Sequence, residues 1–83
     1  MFDPSKRVFL APNCLQNKSI TDRVFKTLQE YKIPKNNILE LDFDLMRKGD
    51  YLLRCIGNVI KVFEIDFIPP FGFVTKPIGE LNP

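Results

Sequence analysis

The fold of this chain is decided by residues 51–63, which read YLLRCIGNVIKVF. Two apolar runs flank the pair Gly57-Asn58, and both residue types tolerate the positive φ angles that tight turns need. We therefore predict an antiparallel β-hairpin over residues 51–63, with Gly57 and Asn58 as its loop. The resulting register pairs Ile56 with Val59, Cys55 with Ile60, Arg54 with Lys61, and Leu53 with Val62.

The same stretch has a second interpretation, as a helix over residues 50–63. Gly57 and Asn58 in its middle disfavour a helix, and the β-branched residues beyond them favour a strand. We keep the hairpin as the main prediction and the helix as the alternative. The apolar residues that also fit helical spacing are Leu52, Cys55, Ile56, Val59, Ile60 and Phe63.

Earlier in the chain, the pattern predicts one strand and one helix. Residues 7–11 form a short apolar run that Pro12 ends, which is typical of a strand. Ser19 and Asp22 have the spacing of a capping box at the start of a helix. A helix over residues 19–32 then places five apolar residues on one face: Ile20, Val24, Phe25, Leu28 and Tyr31.

Residues 38–45 alternate between apolar and acidic side chains, which predicts a half-buried strand with an acidic, solvated outer face. The acidic side chains are Glu40, Asp42 and Asp44. A turn is predicted over residues 47–50, and a proline-interrupted edge strand near residues 71–74.

These elements predict an α+β fold in a single small domain. One helix packs on a three- to five-stranded mixed or antiparallel sheet, and the elements follow the order β-α-β-β-β. We expect residues 1–83 to form this domain, with residues 1–6 and 78–83 as extended tails.

Length and composition exclude several classes of protein. A chain of 83 residues with a formal net charge of +2 has room for one domain and lacks the strongly basic balance of dedicated nucleic-acid binders. Pairing of Cys14 with Cys55 is one interpretation, but two cysteines are too few for a disulfide scaffold, so we expect free thiols in a reducing compartment. The sequence has neither a signal-peptide apolar region nor a membrane-length apolar run. We therefore expect a cytoplasmic protein with no membrane partner.

The sequence offers little for catalysis. It contains no histidine, the commonest proton-transfer group near neutral pH, so we predict a non-enzymatic protein with no cofactor and no metal. Cys14 is the nucleophile candidate, because it stands between a predicted strand and a predicted helix. Residues 8–17 resemble the first β-α step of glutaredoxins, with Asn17 at the position of their second motif cysteine. That resemblance implies at most monothiol redox chemistry, which is our least favoured functional interpretation.

The predicted register opposes two cations, Arg54 and Lys61, and this pair is unfavourable unless an anion lies between them. One solution is internal: the strand over residues 38–45 adjoins the hairpin, and its acidic face neutralises both cations. The other solution is an anionic group on a partner, either a carboxylate or a phosphate.

The aromatic segment around Pro69-Pro70 is the last candidate surface. A proline pair holds an extended conformation, and the neighbouring phenylalanines either anchor a partner or fold back over the protein's own core. We predict a small non-catalytic binding, assembly or regulatory subunit that docks on a larger protein through the hairpin and this segment. The predicted partner-binding residues are Arg54, Lys61, Phe67, Pro69, Pro70, Phe71 and Phe73.

The alternative function is a small nucleic-acid-binding module. In that interpretation four basic residues contact phosphates and phenylalanine rings stack on bases. The sequence leaves homo-oligomerisation open, and we assign the chain to no family on its sequence. The four basic residues are Arg47, Lys48, Arg54 and Lys61.

Overall fold

The computed structural model describes residues 2–81, and within that range one α-helix packs on a five-stranded mixed sheet. The predicted α+β class is confirmed. Short 3-10 turns cover Pro12–Leu15 and Lys35–Asn37. The regular elements are β1 (Val8–Leu10), α1 (Lys18–Glu30), β2 (Ile38–Glu40), β3 (Tyr51–Ile56), β4 (Val59–Ile68) and β5 (Gly72–Leu81).

The sheet has the spatial order β2-β1-β3-β4-β5. β1 lies between β2 and β3 and is parallel to both, whereas β3, β4 and β5 form an antiparallel meander. Helix α1 connects β1 to its parallel neighbour β2, because parallel strands need a crossover connection. β2 and β5 are consequently the two edges of the sheet.

The β3–β4 hairpin confirms the register predicted from the sequence. All four predicted pairs are present, including Arg54 with Lys61. Gly57 has a φ of 61° at the first loop position, where a type II′ turn places glycine. The alternative of a helix over residues 50–63 is wrong, because the turn at Gly57 reverses the chain and both halves pair as strands.

Helix α1 begins at Lys18, one residue before the predicted start. Its N-cap is Asn17, whose side-chain oxygen accepts a hydrogen bond from the backbone N–H of Ile20 at 3.0 Å. The predicted capping box is wrong: Ser19 lies inside the first turn, and the Asp22 carboxylate accepts from Lys18 at 2.8 Å. Asn17 caps the helix in place of Ser19, because its short side chain also reaches the backbone N–H of the third helical residue. Within residues 2–81, no helix has the length and apolar character that crossing a bilayer requires.

Two apolar clusters lie on opposite faces of the sheet. Helix α1 covers the first face, where Val24 and Leu28 are fully buried. Residues 41–50 cover part of the second face, where the side chain of Met46 is 2% exposed. The second cluster consists of Phe9, Ala11, Met46, Leu52 and Ile65, with Leu39, Leu41 and Phe63 packed against it.

The strand predicted over residues 38–45 is too long, because β2 ends at Glu40. The carboxylate of Asp42 accepts a hydrogen bond from the backbone N–H of Asp44 at 2.9 Å. This local contact offers the backbone a turn in place of strand pairing. The side chain of Phe43 is therefore 65% exposed, although the alternation had placed it on the core face.

An ion pair between Arg7 and Asp50 ties the end of segment 41–50 to the start of β1. The Nη2 atom of Arg7 lies 2.7 Å from Oδ2 of Asp50, and its Nε atom lies 3.4 Å from Oδ1. The same carboxylate accepts a hydrogen bond from the backbone N–H of Arg47 at 2.8 Å. The side chain of Asp50 is 12% exposed, so this pair is shielded from much of the solvent screening that weakens surface ion pairs.

The two ends of the chain differ from the extended tails expected over residues 1–6 and 78–83. The ring of Phe2 stacks on that of Tyr51 with the centroids 4.8 Å apart. At the other end β5 continues to Leu81, whose side chain is 3% exposed. The expectation for positions 1, 82 and 83 lies outside the described residues.

β5 contains one irregularity, opposite the junction of Val62 and Phe63. Val62 pairs with Gly79 and Phe63 pairs with Pro77, which makes Ile78 an extra residue on β5. Such a bulge is common at sheet edges, and proline is tolerated there because an edge strand has one side without ladder hydrogen bonds.

Candidate docking surface

The outer end of the β4–β5 hairpin extends beyond β3. The ladder between β3 and β4 ends at the pair of Tyr51 with Glu64. β4 continues from there to Ile68 and remains paired with β5. We call residues 66–74 the arm.

The arm has an aromatic face. Phe67 and Phe73 are directly opposite each other on β4 and β5, and their rings meet edge-on with the centroids 5.7 Å apart. Their side chains are nevertheless 51% and 40% exposed. The pair therefore presents two ordered aromatic rings to solvent on one face of the arm.

The opposite face of this hairpin is charged and internally neutralised. The carboxylate of Asp66 lies 3.7 Å from Nζ of Lys48, and that of Glu64 lies 3.5 Å from Nζ of Lys6. Because successive residues of a strand point to opposite faces, these ion pairs lie on the side away from Phe67. The hairpin is thus amphipathic: the carboxylates of Glu64 and Asp66 lie on one face, and the rings of Phe67 and Phe73 lie on the other.

The tip of the arm is also apolar. Phe71 follows the cis-linked pair Pro69-Pro70, and its side chain is 81% exposed. Its backbone N–H donates to the carbonyl of Ile68 at 2.8 Å, which closes the turn. The alternative in which Phe71 and Phe73 cover the protein's own core is therefore wrong.

Arg54 and Lys61 lie on the same face of the sheet as the aromatic pair. Lys61, Phe63 and Phe67 alternate along β4, and Arg54 is paired with Lys61. The guanidinium carbon of Arg54 lies 5.6 Å from the ring centroid of Phe63, within the range of a cation–π contact. The two predicted cations thus continue the aromatic face toward the other end of the hairpin.

Neutralisation of these cations by residues 38–45 is wrong. β2 is the far edge strand, and β1 lies between it and β3. β2 also ends at Glu40, and among residues 2–81 no ion pair joins Arg54 or Lys61 to the acidic side chains at positions 40, 42 and 44. The backbone register places Glu80 of β5 opposite Lys61, and the guanidinium of Arg54 lies over the ring of Phe63.

Arg54, Lys61, Phe67 and Phe73 therefore share one face of the β3–β4–β5 meander, which we call the docking face. Between its two ends, the side chain of Ile65 on β4 is buried against Met46. Segment 41–50 covers the neighbouring part of the same sheet face through Met46. Ile56 also belongs to this surface, since it shares the face of Arg54 on β3 and is 52% exposed. Sequence analysis missed Ile56 and Phe63, although strand alternation from Arg54 and Lys61 was a sufficient signal for both. The docking face consists of Arg54, Ile56, Lys61, Phe63, Phe67 and Phe73, with Pro69, Pro70 and Phe71 at its tip.

The basic residues proposed for phosphate contact are partly engaged within the chain. Arg47 donates to the backbone carbonyls of Asp44 and Met46 at 3.2 and 3.0 Å. Lys48 lies against Asp66 on the charged face of the hairpin. Both residues therefore already have partners within the chain.

Cys14 is fully buried beneath β3, which opposes a role as a nucleophile. Its thiol donates to the carbonyl of Leu53 at 3.4 Å, and the Cys55 thiol donates to its sulfur at 3.1 Å. Burial, followed by the contact with Cys55, raises the pKa of Cys14 to about 12. A thiol with so high a pKa provides very little thiolate at neutral pH.

The acidic residues do not converge on a metal site. Asp42 and Asp44 lie in the turn after β2, where Asp42 binds the local backbone. Among residues 2–81, no three metal-ligating side chains come together.

The chain matches no family model, no curated protein and no solved structure. Its function is therefore inferred from its own surface.

Proposed function

We propose that this protein is a small non-catalytic subunit that docks on a larger protein through the docking face. The observation that carries the proposal is the exposure of Phe67, Phe71 and Phe73 on an ordered β-hairpin. Aromatic side chains already held in place lose little conformational entropy on binding, which makes them effective interface anchors.

The chemistry of the surface suggests the chemistry of the partner. Three exposed rings fit an apolar cleft, and Arg54 at the other end of the same face fits a carboxylate at the rim of that cleft. Such a partner supplies the anion that the pair of Arg54 and Lys61 requires. Assembly, inhibition and other regulatory roles are all consistent with this mode of docking.

Affinity capture with three baits tests the proposal. The baits are the wild-type chain, Phe71→Ala and the control Phe43→Ala, which removes a ring that is 65% exposed outside the docking face. We expect a partner that the wild-type and Phe43→Ala baits retain equally. Phe71→Ala should lower the affinity for that partner at least about tenfold, as loss of an interface anchor does. Identical sets of proteins on all three baits would contradict the proposal.

The second candidate function is nucleic-acid binding. It draws support from Arg54 and Lys61 lying on the same sheet face as exposed phenylalanine rings, since single-strand binders combine cations for phosphates with rings for bases. A titration with single-stranded RNA and DNA at two salt concentrations separates the candidates. Phosphate contact predicts a steep loss of affinity with salt, whereas aromatic docking on a protein depends weakly on salt.

A second copy of this chain is the remaining partner to test. Sedimentation of the wild-type chain and Phe71→Ala over a range of concentrations measures self-association. A dimer that Phe71→Ala dissociates would replace the larger protein as the partner of the docking face. We place the protein in the cytoplasm in this proposal, because two cysteines are too few for the disulfide scaffold typical of small secreted domains.

A further inference from the structure

Cys14 and Cys55 lie side by side in the core although they are 41 positions apart in the chain. Their sulfur atoms are 3.1 Å apart, and both residues are free thiols. A disulfide bond has an S–S length of about 2.05 Å, so bond formation requires the sulfurs to approach by about 1 Å. The fold itself thus holds a dithiol close to bonding geometry.

Asn13 explains why the two sulfurs meet. Its side-chain amide donates to the carbonyl of Cys55 at 2.7 Å and accepts from the backbone N–H of Cys55 at 3.3 Å. These two bonds clamp the 3-10 turn Pro12–Leu15 onto β3 beyond the end of β1. Cys14 directly follows Asn13 in the chain. The two hydrogen bonds of Asn13 therefore position the Cys14 side chain against that of Cys55.

We propose that Cys14 and Cys55 are an oxidisable dithiol that closes to an intramolecular disulfide when a small-molecule disulfide such as oxidised glutathione is present. The bond would link the turn after β1 to β3. It lies on the helix-covered face of the sheet, opposite the docking face. The proposal is therefore independent of the proposed function.

The chemistry is two successive thiol–disulfide exchanges. Cys55 is 9% exposed while Cys14 is fully buried, so Cys55 reacts first. Its thiolate attacks one sulfur of oxidised glutathione, and the departing glutathione thiolate takes up the proton that Cys55 lost. The small ionised fraction of Cys14 then attacks the adjacent Cys55 sulfur, and the second glutathione thiolate leaves and takes up the proton of Cys14. The high pKa of Cys14 makes this second exchange the slow step. Two electrons pass from the cysteines to glutathione, which is released as two reduced molecules.

The test equilibrates the full chain in glutathione buffers of increasing oxidised fraction. Samples are quenched with acid, denatured and alkylated, and their masses are measured. We expect a monomer that is lighter by two hydrogen atoms and takes up no alkylating agent. Its melting temperature should exceed that of the reduced chain by on the order of 10 °C, because the bond restricts the unfolded chain.

A comparison with the unfolded chain shows whether the fold promotes the bond. The same titration in urea should need a buffer at least about tenfold more oxidising to reach half oxidation. The reason is linkage: if the disulfide stabilises the folded state, the folded state favours the disulfide by the same free energy. Asn13→Ala, which removes the clamp but neither thiol, should shift the native titration about tenfold in the same direction.

Three results would overturn the proposal. The first is two alkylatable thiols at every glutathione ratio, and the second is oxidation that yields only glutathione adducts or dimers linked between chains. The third is easier oxidation in urea than in the native state. Cys14→Ser and Cys55→Ser serve as controls. Cys14→Ser should retain a glutathione adduct at Cys55, whereas neither variant can lose the two hydrogens.

Discussion

The ring of Phe67 meets the ring of Phe73 edge-on across the β4–β5 ladder, with the centroids 5.7 Å apart, while both side chains remain well exposed. An aromatic pair of this geometry stabilises a hairpin by about 0.5–1.5 kcal/mol beyond the burial of its area. The pair therefore fixes the arm without being part of either buried cluster. Because the two rings contact each other outside the buried core, they can be replaced without opening a cavity in it, and the docking face can be tested by mutation.

Replacing Phe73 by alanine should lower the free energy of unfolding by about 1 kcal/mol, the value of the ring–ring contact and partial burial. Urea unfolding followed by circular dichroism measures the change. Phe43→Ala, the exposed-ring control, should change stability by less than about 0.5 kcal/mol. A loss above about 3 kcal/mol for Phe73→Ala would identify its ring as a core element and contradict the exposed aromatic face.

Asp50→Asn should destabilise the protein by about 1–3 kcal/mol, because it weakens the hydrogen bonds that this largely buried carboxylate accepts from Arg7 and from the backbone N–H of Arg47. The loss should be accompanied by faster hydrogen exchange in residues 41–50, which this ion pair ties to the sheet. Asp22→Asn is the control, since it disturbs an exposed pair within one helix. Equal effects of the two substitutions would show that the Arg7–Asp50 pair has no special role.

Asn17→Ala should cost about 1 kcal/mol of stability, because it removes the side-chain acceptor for the backbone N–H of Ile20. Ser19→Ala should be neutral or slightly stabilising, since alanine is the better residue inside a helix. Thermal unfolding of both variants distinguishes the two caps. The reverse order of effects would restore the capping box that the sequence predicted.

The contribution of Cys14 to stability should disappear at alkaline pH. Burial raises its pKa in the folded state from an ordinary value of 9.0 to about 12, so the folded protein keeps a proton that the unfolded chain loses. The contribution is complete below pH 9 and is lost as the pH rises to 12. In reducing buffer, the stability difference between the wild-type chain and Cys14→Ser should therefore shrink above pH 9. A difference that stays constant to pH 11 would contradict a raised pKa.

Local features of the fold were predictable from the sequence. The β3–β4 register follows from Gly57-Asn58 and the flanking apolar runs, because a two-residue loop leaves one pairing for every residue beyond it. The apolar periodicity predicts the helix, but residue type does not separate Asn17 from Ser19 as the N-cap, since both are good capping residues.

Long-range features were not predictable in the same way. The order of the strands depends on β1 inserting between β2 and β3, and no local pattern encodes that choice. The error about Arg54 and Lys61 follows directly, since β1 separates β2 from β3 and β2 ends before Asp42 and Asp44. Alternation over residues 38–45 also failed, because the turn at Asp42 competes with strand pairing. The exposure of Phe71 depends on how far β4 extends past β3, which the sequence alone does not specify.

The bulge at Ile78 and the neighbouring Pro77 affect how the edge strand β5 pairs with strands of other chains. An incoming strand from another chain meets a missing amide at Pro77 and a shifted repeat one residue later, so it cannot remain in step along β5. The β5 edge of the sheet therefore opposes extended strand pairing with other chains.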